Sequence, residues 1–135
     1  MANLPIPPQK TTPNLLHTLS PFADKEKNVL HGIVEINSGS INKYELIVET
    51  GHLKLDRVGY SSLAYPVSYG LIPCTWDQDG DMLDFVIANV TEPLVPGSVV
   101  ELRPIGVMIF EDNGERDYKI ITVLLALVLF CGAAR

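Results

Sequence analysis

From Leu30 onward the apolar residues of this chain come in short runs rich in Val, Ile, Leu and Tyr. Turn-forming stretches close each run: NSGS at 37–40, ETGH at 49–52, DQDGD at 77–81, VPGS at 95–98 and EDNGE at 111–115. That spacing predicts a mainly β domain, a sheet or small barrel. Strands are expected at about 30–36, 42–49, 52–58, 84–90 and 98–110, with a further one from 115 to about 125. The stretches around Gly51 and Asn113-Gly114 read as hairpin turns, because Asn-Gly supplies the positive φ angles that a two-residue turn demands. Five or six strands closing on themselves suggest a five-stranded barrel of the oligonucleotide/oligosaccharide-binding type with extra hairpin strands; a sandwich is the alternative. Ahead of the strands, the proline-rich residues 1–13 read as a loose lead-in, and 14–28 could hold one short helix. The expected organisation is an arm and short helix over 1–29, a barrel domain over 30–123 and an atypical apolar tail over 124–135.

Composition narrows the class. A chain of 135 residues with 47% hydrophobic residues can bury one core. Its formal charge of -6 argues against a nucleic-acid backbone as partner, since phosphate binding needs clustered Lys and Arg. The acidic balance suits cations, or an anion reached through bound cations. Cys74 and Cys131 lack the spacing of a metal site or a disulfide scaffold, so a reducing cytoplasm is the default. Prolines occupy the start, MANLPIPPQK, where a secretion signal carries its apolar core. The apolar run from Ile120 to Cys131 is short of the ~20 residues a membrane span needs, so it reads as a core element.

The candidate chemistry begins at Asp77, Asp79, Asp81 and Asp84, which crowd against the apolar run Phe85-Val86-Ile87-Ala88. Two carboxylates ~4 Å apart repel by about 1 kcal/mol even in water, a cost that a bound cation removes. The spacing of Asp77, Asp79 and Asp81 opens like an EF-hand loop, but its glycine is at position four and position twelve is Ala88, so that reading fails. What remains is Asp-Gly-Asp-x-x-Asp at the entry to a strand. Three carboxylates on so tight a frame suit a hard divalent cation such as magnesium, against the alternative of a solvated Asp-rich turn. In EDNGERDYK, a two-residue turn at Asn113-Gly114 puts Asp112, Asp117 and Lys119 on one strand face, where they could complete a metal and anion site or form ordinary surface pairs. Lys43 and Glu45 share a face, with Arg57 ending the next strand and Glu35 the preceding one; cations beside an acidic cluster can hold an anion that metals also hold. In YPVSYGLIP, Tyr65 and Tyr69 read as a stiff aromatic loop, with Tyr65 packing on the core and the Tyr69 hydroxyl able to donate to a phosphate oxygen. There is no phosphate-binding P-loop and no Ser/His/Asp set, and His17, His31 and His52 take no role.

Together these stretches resemble the soluble inorganic pyrophosphatases of family I, from about Leu30 to Val123. The motifs run in the family's order: Glu35, KYE at 43–45, Arg57, YPVSYG at 65–70, DGDMLD at 79–84, RPIG at 103–106 and EDNGERDYK at 111–119. The resemblance implies a five-stranded barrel and magnesium-dependent hydrolysis of diphosphate to two phosphates, with manganese or zinc as substitute ions. It further implies a cytoplasmic homo-oligomer. Carried over residue by residue, Asp79, Asp84 and Asp117 look like first-metal ligands, with Asp84 bridging to a second ion. Asp112, with Asp117 and Glu35, looks like the site of further ions. Asp81 looks like the base beside the attacking water. Lys43, Arg57, Tyr69 and Lys119 look like phosphate ligands, and Glu45 like a supporting acid. Met82 stands where the family usually has Pro, and Ser68 where Asn is usual. After Val123 the family continues through a loop, an acidic stretch, a Tyr-Lys pair that meets the phosphates and a C-terminal helix, none of which LLALVLFCGAAR matches. The expectation is a chain that keeps the metal side of the site and lacks part of the substrate clamp, with activity impaired. The alternatives are a non-catalytic metal-binding remnant and a ligand-binding barrel module.

Overall fold

The computed structural model describes residues 14–59 and 63–126. The lead-in over 1–13, and residues 127–135 of the expected tail with Cys131, lie outside the described residues. One helical turn and eight strands follow in chain order: α1 Leu15–Thr18, β1 Phe22–Asp24, β2 Val29–Ile36, β3 Lys43–Leu46, β4 Leu53–Arg57, β5 Tyr69–Leu71, β6 Asp84–Ile87, β7 Val99–Asp112 and β8 Glu115–Leu124. Six of them form one sheet in the order β1-β2-β5-β6-β8-β7, and β2 also pairs with β7. Those pairings close the sheet on itself, so that β2, β5, β6, β8 and β7 make the five-stranded barrel that turn spacing and resemblance implied. Strands β3 and β4 form a separate two-stranded hairpin. No helix among the described residues is long and apolar enough to cross a membrane.

Phe85 fills the barrel interior. It is fully buried with Val34, Ile87 and Leu102, and Ile72 joins the same cluster. Two glycines make room for its ring: a Cβ on Gly32 would meet it at 2.5 Å, and one on Gly70 would meet both the ring and the Ile33 carbonyl. A second cluster of Leu16, Ile33, Leu46, Leu71 and Met82 packs the β3–β4 hairpin and α1 onto the outside of the barrel. Strand β2 therefore buries both faces, Ile33 to the outer cluster and Val34 to the inner one.

Several sequence expectations are corrected. The helix foreseen within 14–28 is a single turn. Asn14 caps it by accepting from the Leu16 N–H, and Pro21 follows closely, biasing Ser20 away from helical geometry. Tyr69–Leu71 is a barrel strand rather than part of a stiff loop, because its short apolar run is covered on both sides by β2 and β6. The connection around Gly51 is a six-residue loop over 47–52, with Gly51 at φ 73 donating to the Ile47 carbonyl. At the other hairpin Asn113 and Gly114 do take φ values of 51 and 81, and Asp112 faces Glu115.

Candidate active site

The Asp-rich loop folds on its own hydrogen bonds. The Asp81 N–H donates to Asp79 Oδ1 at 3.0 Å, the Asp77 N–H to the Asp81 carbonyl at 2.7 Å, and the Gly80 N–H to the Asp77 carbonyl at 3.1 Å. Gly80 turns the chain at φ 82, a conformation that costs a residue with a Cβ more. The loop delivers Asp84 to the first position of β6.

There the barrel does what no local pattern could. Strand β6 pairs with β8 in parallel, and the register sets Asp84 opposite Lys119. The antiparallel register of β7 and β8 puts Asp117 and Lys119 on one strand face, two residues apart. The Lys119 ammonium lies 2.8 Å from Asp84 Oδ2, 3.0 Å from Asp117 Oδ2 and 3.2 Å from the Tyr69 hydroxyl, and 5.2 Å from the centre of the Tyr69 ring. Two carboxylates 33 residues apart in the chain thus share one cation. Burial raises the Asp84 pKa, held back by the Lys119 and Tyr69 hydrogen bonds. Burial by itself lowers that of Lys119, but the hydrogen bonds and charges of Asp84 and Asp117 outweigh it, so the ammonium is held more firmly than usual. The Tyr69 hydroxyl is pushed far above its ordinary value, first by burial and then by the charge of Asp84, and it stays a proton donor.

Tyr69, Asp84 and Lys119 line a cleft of about 510 Å³ between the barrel and the β3–β4 hairpin, together with Glu35, Lys43, Glu45, Tyr65 and Asp81; Asp79 and Asp117 stand outside that lining. Glu35 is buried, and its Oε1 accepts from the Leu46 N–H at 2.8 Å, tying the hairpin to β2. Burial, and then the charges of Asp84, Glu45 and Asp81, raise its pKa to about 7 against the opposing effect of the Leu46 hydrogen bond. Lys43 pairs with Glu45 at 2.7 Å and Asp56 at 3.7 Å; the Glu45 hydrogen bond raises its pKa. Arg57 stands opposite Lys43 on β4, its Nε 3.2 Å from Asp56, and Asp112 sits exposed at the tip of the β7–β8 hairpin; neither lines the cleft. Tyr65 packs against Tyr69, with ring centres 6.3 Å apart.

A family model for inorganic pyrophosphatase matches residues 32–128. The chain belongs to the inorganic pyrophosphatase family. It is 44% identical over 104 residues to the inorganic pyrophosphatase of Thermus thermophilus, covering 77% of this chain and 59% of that protein. It is 50% identical over 95 residues to the soluble inorganic pyrophosphatase of Zea mays, covering 70% and 44%. Among solved structures, the Thermus thermophilus enzyme superposes with a TM-score of 0.74 at 42% identity, over 84% of this chain and 64% of that one. An inorganic pyrophosphatase from Neisseria gonorrhoeae gives 0.74 at 38% identity, over 82% and 63%. The chain spans roughly half the length of the curated relatives it matches.

The pyrophosphatase family is metal-dependent, and the donor set here fits a hard divalent cation. One carboxylate oxygen from each of Asp77, Asp79 and Asp117 lies within 4.8 Å of the others. Two oxygens bound to one magnesium ion at ~2.1 Å stand at most about 4.2 Å apart, so a small closure would bring Asp79 and Asp117 onto one ion, while both Asp77 oxygens already accept backbone hydrogen bonds. The sequence reading assigned Asp79 and Asp117 to a metal and left Asp77 without a role. The only sequence signal for Asp77 was its place in the four-aspartate run.

Proposed function

We propose that this chain hydrolyses inorganic diphosphate to two phosphates, with magnesium as cofactor, in the cytoplasm and as a homo-oligomer. The observation that carries the reading is the convergence of Asp84 and Asp117 on the Lys119 ammonium, with an Asp79 oxygen within 4.8 Å of one from Asp117. Asp79, Asp84 and Asp117 would hold the first ion and Asp84 would also serve a second; Asp112, Asp117 and Glu35 would serve further ions, with manganese or zinc as substitutes. Bound ions supply positive charge to the substrate and lower the pKa of a coordinated water. Asp81, in the same cleft, takes the proton of the attacking water. Lys43, Arg57, Tyr69 and Lys119 hold the phosphates and offset the charge that builds on the leaving group, with Glu45 orienting Lys43 through their ion pair. Residues 30–123 carry this chemistry as the barrel unit.

Downstream of Lys119 the sequence contains neither tyrosine nor lysine, so these 135 residues offer no counterpart to the family's second phosphate-binding pair. That same feature favours a second reading, a metal-binding remnant without turnover. Phosphate release from diphosphate, measured with magnesium for the wild type and Asp81→Asn, decides between them. The hydrolase reading expects magnesium-dependent release that the variant lowers by about 10²-fold or more. Equal background rates in both proteins, with magnesium still bound, establish the remnant.

A further inference from the structure

Asp77 is the one buried aspartate among the described residues, at 6% exposure. Both of its carboxylate oxygens accept from backbone. Oδ1 takes the Gln78 N–H at 2.7 Å, and Oδ2 takes the Tyr118 N–H at 3.1 Å, across 41 residues of chain. Tyr118 lies between Asp117 and Lys119. Its position on β8 is special: the parallel pairing with β6 begins only at Asp84 opposite Lys119, so Tyr118 stands one residue before that ladder starts. The Asp77 carboxylate supplies the acceptor that a strand would have offered. Through its own N–H and carbonyl, Asp77 also closes the loop on Asp81 and Gly80.

We propose that Asp77 is a positioning residue: it clamps the loop carrying Asp79, Asp81 and Asp84 onto the strand carrying Asp117 and Lys119, and so sets the separation of the two halves of the site. The proposal rests on the reading of that site as a magnesium centre. Magnesium demands near-ideal octahedral geometry, so a carboxylate released by even a fraction of an ångström binds poorly. Asp79 and Asp117 repel each other, and the Asp77–Tyr118 tie holds them together across that repulsion. The role asked of Asp77 is to accept a hydrogen bond, which an amide oxygen also does.

The test compares wild type, Asp77→Ala and Asp77→Asn as full 135-residue chains, by amide hydrogen exchange at Tyr118 without metal, calorimetric magnesium titration and thermal unfolding. In Asp77→Ala, Tyr118 is expected to exchange at least about tenfold faster, and magnesium affinity to fall about 10- to 100-fold, the range for residues that orient metal ligands. Asp77→Asn is expected to keep Tyr118 protection and to bind magnesium within about threefold of wild type, since it retains one acceptor oxygen. Magnesium affinity unchanged in a destabilised Asp77→Ala overturns the proposal, and so does a loss in Asp77→Asn as large as in Asp77→Ala, which marks a direct ligand. Should Asp77→Ala fail to fold, loss of either property in Asp77→Asn overturns it alone. A wild type that takes up no magnesium sinks the metal-centre reading instead, and Tyr118 exchange then decides whether the clamp exists.

Discussion

Glu35 makes the stability of the metal-free protein depend on pH in a direction opposite to that of most carboxylates. Its side chain is 7% exposed, and burial lifts its pKa from an ordinary 4.5 to about 7. Below pH 4.5 both folded and unfolded chains carry the proton, and Glu35 costs the fold nothing electrostatically. Between pH 4.5 and about 7 the unfolded chain releases the proton while the folded chain keeps it, so the unfolded state gains. Above about 7 both are ionised and the difference is constant. At ~1.4 kcal/mol for each tenfold change in proton affinity, the loss across that window is at most about 3 kcal/mol. Glu35→Gln keeps an oxygen for the Leu46 N–H but cannot ionise. Urea denaturation with a chelator present, from pH 4 to 8, should show wild type losing up to about 3 kcal/mol relative to the variant between pH 4.5 and 7. Asp84, also raised by burial, slopes both curves the same way and largely cancels in their difference. Curves that stay parallel through this window, or a wild type that gains on the variant as pH rises, refute the account of Glu35.

Two further perturbations probe the frame of the site. Lys119→Met removes the cation that Asp84 and Asp117 share and should cost the metal-free protein about 1–3 kcal/mol near pH 7, a discounted figure because these groups are about a quarter exposed; the loss should shrink in acid as Asp84, whose pKa burial raises, takes up a proton, which denaturation at pH 4 and 7 checks. Gly70→Ala drives a methyl into the Ile33 carbonyl and the Phe85 ring and should cost at least about 2 kcal/mol, read as a fall in the urea midpoint.

Strand β2 and the hairpin at Asn113-Gly114 were legible because their cause is local: alternation or continuity of apolar residues, and a dipeptide that accepts positive φ. Strand β5 was hidden. Three residues with Gly70 at their centre carry no period, and their extended form comes from the strands on either side. The short helix expected within 14–28 forms as the single turn α1, which Leu16 holds through the outer core.

The candidate site divides along the same line. Which residues could bind a metal and an anion was written in the chain, because Asp, Lys and Tyr bring their chemistry wherever they stand and the glycine at 80 forces the turn between Asp79 and Asp81. Which of them meet was decided by closure of the barrel. Parallel pairing of β6 with β8 aligns Asp84 with Lys119 across 35 residues, and a register slip of one would turn Lys119 to the opposite face. The same closure buries Asp77 and Glu35, raising the Glu35 carboxyl to about 7 and turning Asp77 from one more acidic turn residue into the tie between loop and strand. Residue identity sets what a group can do; desolvation and register, which exist only once distant strands pair, set what it does.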